Sequence, residues 1–366
     1  MIKKTDGKKT VYNIIAVLAF IAFISLLEWK RSDLSYQIAI IERAAIYAVV
    51  AVAMNLLTGF TGLFSLGQAG FMAIGAYTVG ILTIPLEQRA GVYYIEGIAP
   101  WLEKLYLPFW LAIIAGGFLA AFVAALIGIP VLRLKSDYLA IATLGFSEII
   151  RALIAAPQFN KITNGSFGLK NIPKFPNLYV FFAMILLCIA LMVLLINSSY
   201  GRAFKAIRED EIAAESMGIN LFKYKQLSFV ISSFFTGIGG GLLAMFMSSI
   251  DSKTFQIMLT YDILLIVVLG GIGSVTGSVI GAFLITAGRE WLRFFDEPLA
   301  IAGIEIPLFR TGFRMVIFSL LLMIVVLFYR RGIMGTNEFS WEGLFRLIKG
   351  LPQRFKKKTA EDGGEK

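Results

Sequence analysis

Long apolar runs separated by short polar stretches dominate this chain. A helix crossing a bilayer needs about 20 mostly apolar residues. Runs approaching that length fall at 11–27, 38–58, 63–84, 109–132, 138–156, 178–197, 226–250, 259–271, 275–290 and 311–329, several of them short or interrupted. The pattern predicts an all-α polytopic membrane protein with about ten transmembrane helices. It divides the chain into a basic N-terminus (1–10), a transmembrane domain (11–334) containing one long polar loop (198–225), and a tail (335–366). The first run is long for a signal-peptide core and no small-residue cleavage site follows it, so it reads as a retained span.

Charge gives the sidedness. Only 16% of residues are charged and 58% are hydrophobic, against roughly 25% charged in soluble domains. Alternating the ten spans gathers Lys3, Lys4, Lys8 and Lys9, the "RLKSD" turn, Arg202, Lys205, Arg208, Lys223, Lys225 and the tail on one side. Lys and Arg concentrate on the cytoplasmic side, so both termini are placed in the cytoplasm. The net charge of +10 is thereby read as membrane sidedness and contact with lipid, not as a nucleic-acid surface. The other side receives 28–37, 85–108, 157–177, 251–258 and 291–310. It carries Trp101, Tyr106 and Trp110 as interfacial aromatics, but also Lys161, Lys170 and Lys174. In the tail, Trp341, Leu344, Phe345 and Ile348 share one helical face beside basic residues; a helix on the inner membrane surface and a solvated tail are both open.

The chain has no histidine and one cysteine, Cys188, inside an apolar run. That excludes histidine-ligated metal sites and Ser-His or Cys-His catalysis. No catalytic residues, metal site or cofactor are expected.

Glycine is dense where it is least expected. "NLLTGFTGLFSLGQAGFMAIGAYTVG" (55–80) is apolar yet carries Gly59, Gly62, Gly67, Gly70, Gly75 and Gly80. One reading is close helix packing through small residues. The other is a broken helix that ends near Thr58-Gly59 and restarts near Ser65, which membrane proteins tolerate where backbone is buried or lines a cavity. "LLIVVLGGIGSVTGSVIGAFLITAG" (264–288) repeats that layout and suggests a pseudo-repeat.

In the polar loop, Asp210 can cap a short helix beginning at Glu211, and Gly218 suits the left-handed position after its end. Ala213 and Ala214 leave a face with little bulk, suited to a groove on a partner. No G-x-x-x-x-G-K-[ST] phosphate loop occurs, so ATP hydrolysis is not expected in this chain.

Intramembrane charges are functional candidates by default. Glu148 and Arg151 lie at i, i+3 in span 138–156, able to pair on one face near mid-depth. A structural ion pair and a role in the path or gate are both open. Glu42, Arg43, Arg310 and Arg314 fall nearer span ends. Asn55, Ser65, Gln68, Thr143, Ser147 and Asn164 are further polar groups, more suited to bridging helices than to binding ligand. The path or gate candidates are Gly67, Gln68, Gly70, Gly75, Thr143 and Glu148. Alanine at Gly70 or Gly75 is expected to lower transport more than assembly.

Residues 55–80 resemble the signature of LivM-type inner-membrane permease subunits of branched-chain amino acid ABC importers. "DYLAIATLGFSEIIRALI" (137–154), "TNGSFGLKNIP" (163–173), "GRAFKAIREDEIAAESMGIN" (201–220) and "VVLGGIGSVTGSVIGAFLI" (267–285) extend the resemblance in order. It covers most of 40–290, but neither the insert at 85–108 nor the tail. It implies an ABC importer permease fold and transport of hydrophobic or branched-chain amino acids by alternating access. It also implies a second related permease, two ATPase subunits and an extracytoplasmic amino-acid-binding protein. The family's "EAA…G" loop, a coupling helix docked on the ATPase, falls here on Glu211, Ala213, Ala214, Glu215, Gly218 and Ile219. Urea or a short-chain amide as cargo, or a self-sufficient ion-coupled amino acid carrier centred on Glu148, are the alternatives.

Overall fold

The apolar runs fold as helices in a computed structural model of the chain. The structure describes residues 7–94, 96–134 and 136–292, with 300, 301, 304, 305, 316, 317, 319, 320, 323, 332–335, 337 and 338. In chain order the helices are α1 (Gly7–Trp29), α2 (Ser35–Asn55), α3 (Gln68–Thr83), α4 (Leu86–Val92), α5 (Pro100–Glu103), α6 (Phe109–Val131) and α7 (Ser136–Ala155). They continue with α8 (Asn160–Thr163), α9 (Leu178–Asn197), α10 (Ser199–Glu209), α11 (Glu211–Ser216), α12 (Leu221–Met247), α13 (Ile257–Gly270) and α14 (Val275–Trp291). Strand pairing among the described residues is confined to Ala300–Ile301 with Ile304–Glu305 and a single bridge between Leu169 and Ile250.

Among the described residues, five segments are long and apolar enough to cross a membrane: Ser35–Phe60, Phe109–Val131, Tyr138–Ala155, Leu178–Asn197 and Leu221–Met247. The apolar helices Ile15–Trp29, Gln68–Thr83 and Ile257–Gly270 are shorter, and α14 pairs with α13. The expected count of ten is not reached among the described residues. Span 311–329 lies almost wholly outside them, as do Arg310, Arg314 and the tail face of Trp341, Leu344, Phe345 and Ile348.

Both readings of residues 55–80 hold, at different places. The helix is broken: α2 passes into a π turn, Leu56–Phe60, and residues 61–67 are non-helical. α3 begins at Gln68, later than the expected restart near Ser65. Beyond the break, the glycines serve close packing. A Cβ on Gly75 would lie 1.9 Å from the Gly237 carbonyl oxygen, and one on Gly240 would lie 2.0 Å from that of Met72. α3 and α12 therefore meet backbone to backbone, with Gly116 of α6 against Gly75 from the other side. Such approach is how apolar helices gain dispersion contact in lipid, where no hydrophobic drive separates protein from solvent. α13 and α14 close in the same way: a Cβ on Gly270 would lie 2.2 Å from the Gly277 oxygen. α2 is buried from Ala44 to Asn55 except at Tyr47, between α12 and α14. Cys188 is buried in α9 as a packing residue.

The polar segments gather at two ends. At one end, the Ala99 N–H donates to Lys161 O, Tyr93 Oη to Ile162 O and Ile172 N–H to Ser248 O, while Leu178 N–H donates to Glu28 Oε2. These are segments that the alternation of spans places on one side. Asn164 belongs to this scaffold: its amide donates to Val92 O at 3.0 Å and Gly168 O at 2.7 Å. Arg89, buried at 3% exposure, fans onto the carbonyls of Ile81, Ile84, Leu102, Glu103 and Leu105 and so ties α5 to the end of α3. The opposite end carries α10, α11, residues 332–335, and residues 337 and 338. α12 starts there five residues earlier than the apolar run at 226, because Asn220 Oδ1 accepts from Lys223 N–H and lets the helix extend into polar sequence.

Candidate functional site

The polar loop is two helices in series. The first, α10, buries Gly201, Phe204 and Ile207 and leaves Arg202 and Lys205 exposed, with Arg208 partly buried; the spacing of "GRAFKAIRE" carries that helical signal. α11 forms as expected. Asp210 Oδ1 accepts from the N–H groups of Ile212 at 2.8 Å and Ala213 at 3.0 Å, and Glu211 sits in the first turn where helix-dipole attraction favours it. Gly218 closes the unit at φ +84°, and Ile219 N–H donates to Ala214 O.

The small-residue face is divided. Ala213 is exposed, but Ala214 is 4% exposed and turned into the protein. The side presented outward instead carries Ile212 at 79% and Met217 at 83% exposure, with Glu215 and Ser216 between them. Ile212 in the first turn of α11 and Met217 at its C-cap are thus two large apolar side chains left exposed on a polar loop. α11 is fastened to the transmembrane helix α12 by Glu211–Lys225 at 2.6 Å.

Behind α11 lie the two glycine breaks. Arg208, at the end of α10, donates from Nη1 to Gly59 O at 2.6 Å, and Lys205 sits over the Phe60 ring at 5.4 Å. The fully buried Asn55 donates to Ser274 O at 2.9 Å and Ser278 Oγ at 2.7 Å, and its Oδ1 accepts from Gly273 N–H at 2.8 Å. Asn55 thus bridges helices, and what it bridges are the two glycine clusters. Glu338 caps α14, accepting from the N–H groups of Val275 at 2.7 Å and Thr276 at 3.0 Å. A cavity of about 500 Å³ lies among Phe60, Lys205, Arg208, Gly273, Thr276 and Glu338.

Five of the six path or gate candidates, all but Glu148, lie on two seams of α3. Toward α7, Leu66 N–H donates to Thr143 Oγ1 at 2.9 Å, Gly67 faces Thr143, and a Cβ on Gly70 would lie 2.8 Å from Ser147 Cα. Toward α12, Gln68 Oε1 accepts from Thr236 Oγ1 at 2.6 Å, and Gly75 meets Gly237. Glu148 and Arg151 do pair, at 2.7 Å, on α7. Their side chains are 35% and 29% exposed, and the α7 surface at Gly145 has open space beside it.

A second ion pair was missed from sequence. Asp262 of α13 and Arg289 of α14 meet two-pronged at 2.6 and 2.5 Å. The signal was a lone aspartate in the apolar run "IMLTYDILLIVVLG". Arg43 stacks over Phe246 at 5.9 Å close by. Breaking a buried pair from one side costs about 3–5 kcal/mol; with side chains 36% and 30% exposed, about 1–2 kcal/mol is expected here once solvent screening is allowed for. Arg289→Leu should therefore lower the melting temperature of the purified chain, and Arg289→Leu with Asp262→Leu should restore most of the loss. An equal drop in the double variant would assign the loss to packing and not to charge.

Among the described residues, no group of three His, Cys, Asp or Glu side chains could hold a metal ion.

Residues 36–327 match the family model described as branched-chain amino acid transport system / permease component. The chain is 35% identical over 286 residues to the high-affinity branched-chain amino acid transport system permease protein LivM of Escherichia coli (strain K12), covering 69% of this chain and 62% of that protein. It is 27% identical over 314 residues to a probable branched-chain amino acid transport permease protein LivM of Methanocaldococcus jannaschii, covering 78% and 89%. A guanosine ABC transporter permease protein, NupQ of Bacillus subtilis (strain 168), is 28% identical over 220 residues, covering 54% and 65%. The chain thus spans 62% of the length of its Escherichia coli and Salmonella typhimurium relatives. No solved structure matches it. With the matched region running from α2 past α14 and containing the capped helix and both glycine breaks, this chain belongs to the family of branched-chain amino acid transport system permease components.

Proposed function

We propose that this chain is a permease subunit of an ATP-binding-cassette importer that moves branched-chain or other hydrophobic amino acids across the inner membrane by alternating access. One observation carries the reading: α11 is a rigid, capped helix that presents Ile212 and Met217 outward while fastened to α12, the arrangement a docking helix needs to pass motion into the membrane. In this reading ATP is hydrolysed by two partner subunits, which fits a sequence without a phosphate loop. A second related permease completes the path, and an extracytoplasmic amino-acid-binding protein delivers cargo. Both termini then lie in the cytoplasm, on the side of α11, and the chain is multi-pass. The names of the LivM relatives support amino-acid cargo; the guanosine relative matches a smaller share of this chain.

Within this reading α7 faces the path. A charged pair near mid-depth is costly against lipid, so the open α7 face bearing Glu148 and Arg151 borders the second permease or water. The α3–α7 seam, built from Gly67, Gly70, Thr143 and Ser147, is the gate, because its small residues and one hydrogen bond separate at low cost.

The test is mild affinity purification from native membranes with mass spectrometry of the co-purifying chains, then leucine uptake by the reconstituted complex. An ATPase pair, a second permease and ATP-dependent leucine uptake are expected. A chain that emerges alone and moves solute down an ion gradient would overturn the reading and turn attention to Glu148.

A further inference from the structure

Three separated stretches of sequence converge on one guanidinium. Arg208 lies in the last turn of α10, one residue before its end at Glu209, and only Asp210 stands between α10 and α11. That joint is stiff: Asp210 N–H donates to Ala206 O, its carbonyl accepts from Ala214 N–H, and its side chain caps α11. Beyond it, Arg208 seats in the first break with both stem and head. A Cβ on Gly62 would lie 3.1 Å from Arg208 Cγ and 3.3 Å from its Cα, and Nη1 holds the Gly59 carbonyl. The second break approaches the same group at backbone distance, since a Cβ on Gly273 would lie 2.9 Å from Arg208 Nη1 and 3.4 Å from Gly59 O. Asn55 then locks the two breaks together through Gly273 N–H and Ser274 O. Breaks and π turns are where membrane helices change angle. A rigid donor fork held at such a point moves the break with it.

We propose that Arg208 is the positioning residue that transmits displacement of α11 to both glycine breaks, with Asn55 carrying it from the first to the second. The inference rests on the importer reading and adds to it the route inside the permease. α2 and α3 diverge at the first break, and α13 and α14 at the second. One shift of α10 therefore reaches four helices through two side chains, Arg208 and Asn55. Glu209, on Nε and Nη2 of the same guanidinium at 3.1 and 2.5 Å, aims Nη1 at Gly59.

The experiment uses the whole assembly in proteoliposomes with its binding protein and leucine. Wild type, Arg208→Ala and Arg208→Lys are compared for subunit content, ATP hydrolysis and uptake. Spin labels at Phe64→Cys and Tyr94→Cys, both at exposed positions, in a Cys188→Ser background report whether the first break moves on ATP addition. With Arg208→Ala, the complex is expected to assemble and hydrolyse ATP, while leucine moved per ATP falls at least tenfold and the ATP-dependent distance change is lost. Arg208→Lys, which keeps a cationic donor without the fork, is expected to recover part of both. Unchanged leucine per ATP in an intact Arg208→Ala assembly would overturn the proposal. So would loss of the ATPase subunits from that variant, which would make Arg208 part of docking. A wild-type preparation without ATPase subunits would instead overturn the importer reading itself.

Discussion

Replacing Gly75 with alanine is expected to leave little folded protein. The added methyl would lie 1.9 Å from the Gly237 oxygen and 2.7 Å from its Cα. Both are backbone atoms inside α12, so no rotamer change relieves the overlap; α3 and α12 must separate, and Gly116 of α6 must follow. Overpacking costs typically 1–3 kcal/mol and occasionally more, and an overlap against two helices at once should reach about 3 kcal/mol or beyond. The measurement is yield and melting temperature of the detergent-purified chain. Gly91→Ala and Gly145→Ala are the controls: both glycines are helical, and a Cβ there meets nothing within 4 Å. Alanine at those sites should be neutral or stabilising by up to about 1 kcal/mol. The geometry replaces the earlier expectation that alanine at Gly75 lowers transport more than assembly; stability should fall first. A stable Gly75→Ala chain that no longer transports would return the glycine to a role in motion.

Charging the outward face of α11 is expected to strip the ATPase from the complex while leaving the permease folded. Ile212 and Met217 are about four-fifths exposed, so aspartate at both costs the isolated chain little. If both side chains are buried on docking, each contributes about 1.5–3 kcal/mol. Their joint loss weakens docking by on the order of a hundredfold or more. The readout is ATPase retained on affinity-purified Ile212→Asp/Met217→Asp permease, set beside the melting temperature of that permease. Ala214→Asp makes the contrast, since Ala214 is buried and its charge should destabilise the loop itself. Full ATPase retention in the double variant would remove α11 as the docking element.

Features set by neighbours in the chain were legible from sequence. Apolar length gave the membrane helices, Asp210 and Gly218 bracketed α11 within a residue, and the i, i+3 spacing of Glu148 and Arg151 gave an ion pair. In each case the partners are within a few residues, and helical geometry alone sets their distance. Both glycine clusters were visible as clusters. Whether they broke a helix or packed one was left open, because glycine permits either, and the structure assigns a break to Gly59 and Gly62 and packing to Gly75.

The rest depended on which faces meet. Most of these helices are apolar on every side, and such a helix carries no periodic signal for its buried face. Nothing near Ala214 in sequence turns it inward and leaves Ile212 and Met217 outward. Nothing local pairs Asp262 with Arg289 across 27 residues, Arg208 with Gly59 across 149, or Asn55 with Gly273 across 218. Those contacts exist because close packing of α2, α3, α12, α13 and α14 brings the two breaks to one end of the bundle beneath α10. The amino-acid sequence by itself determined what the chain is made of: membrane helices, two glycine clusters and one capped polar helix. Only the tertiary structure decided that the three are joined, since joining them takes backbone approaches that many distant residues must permit at once.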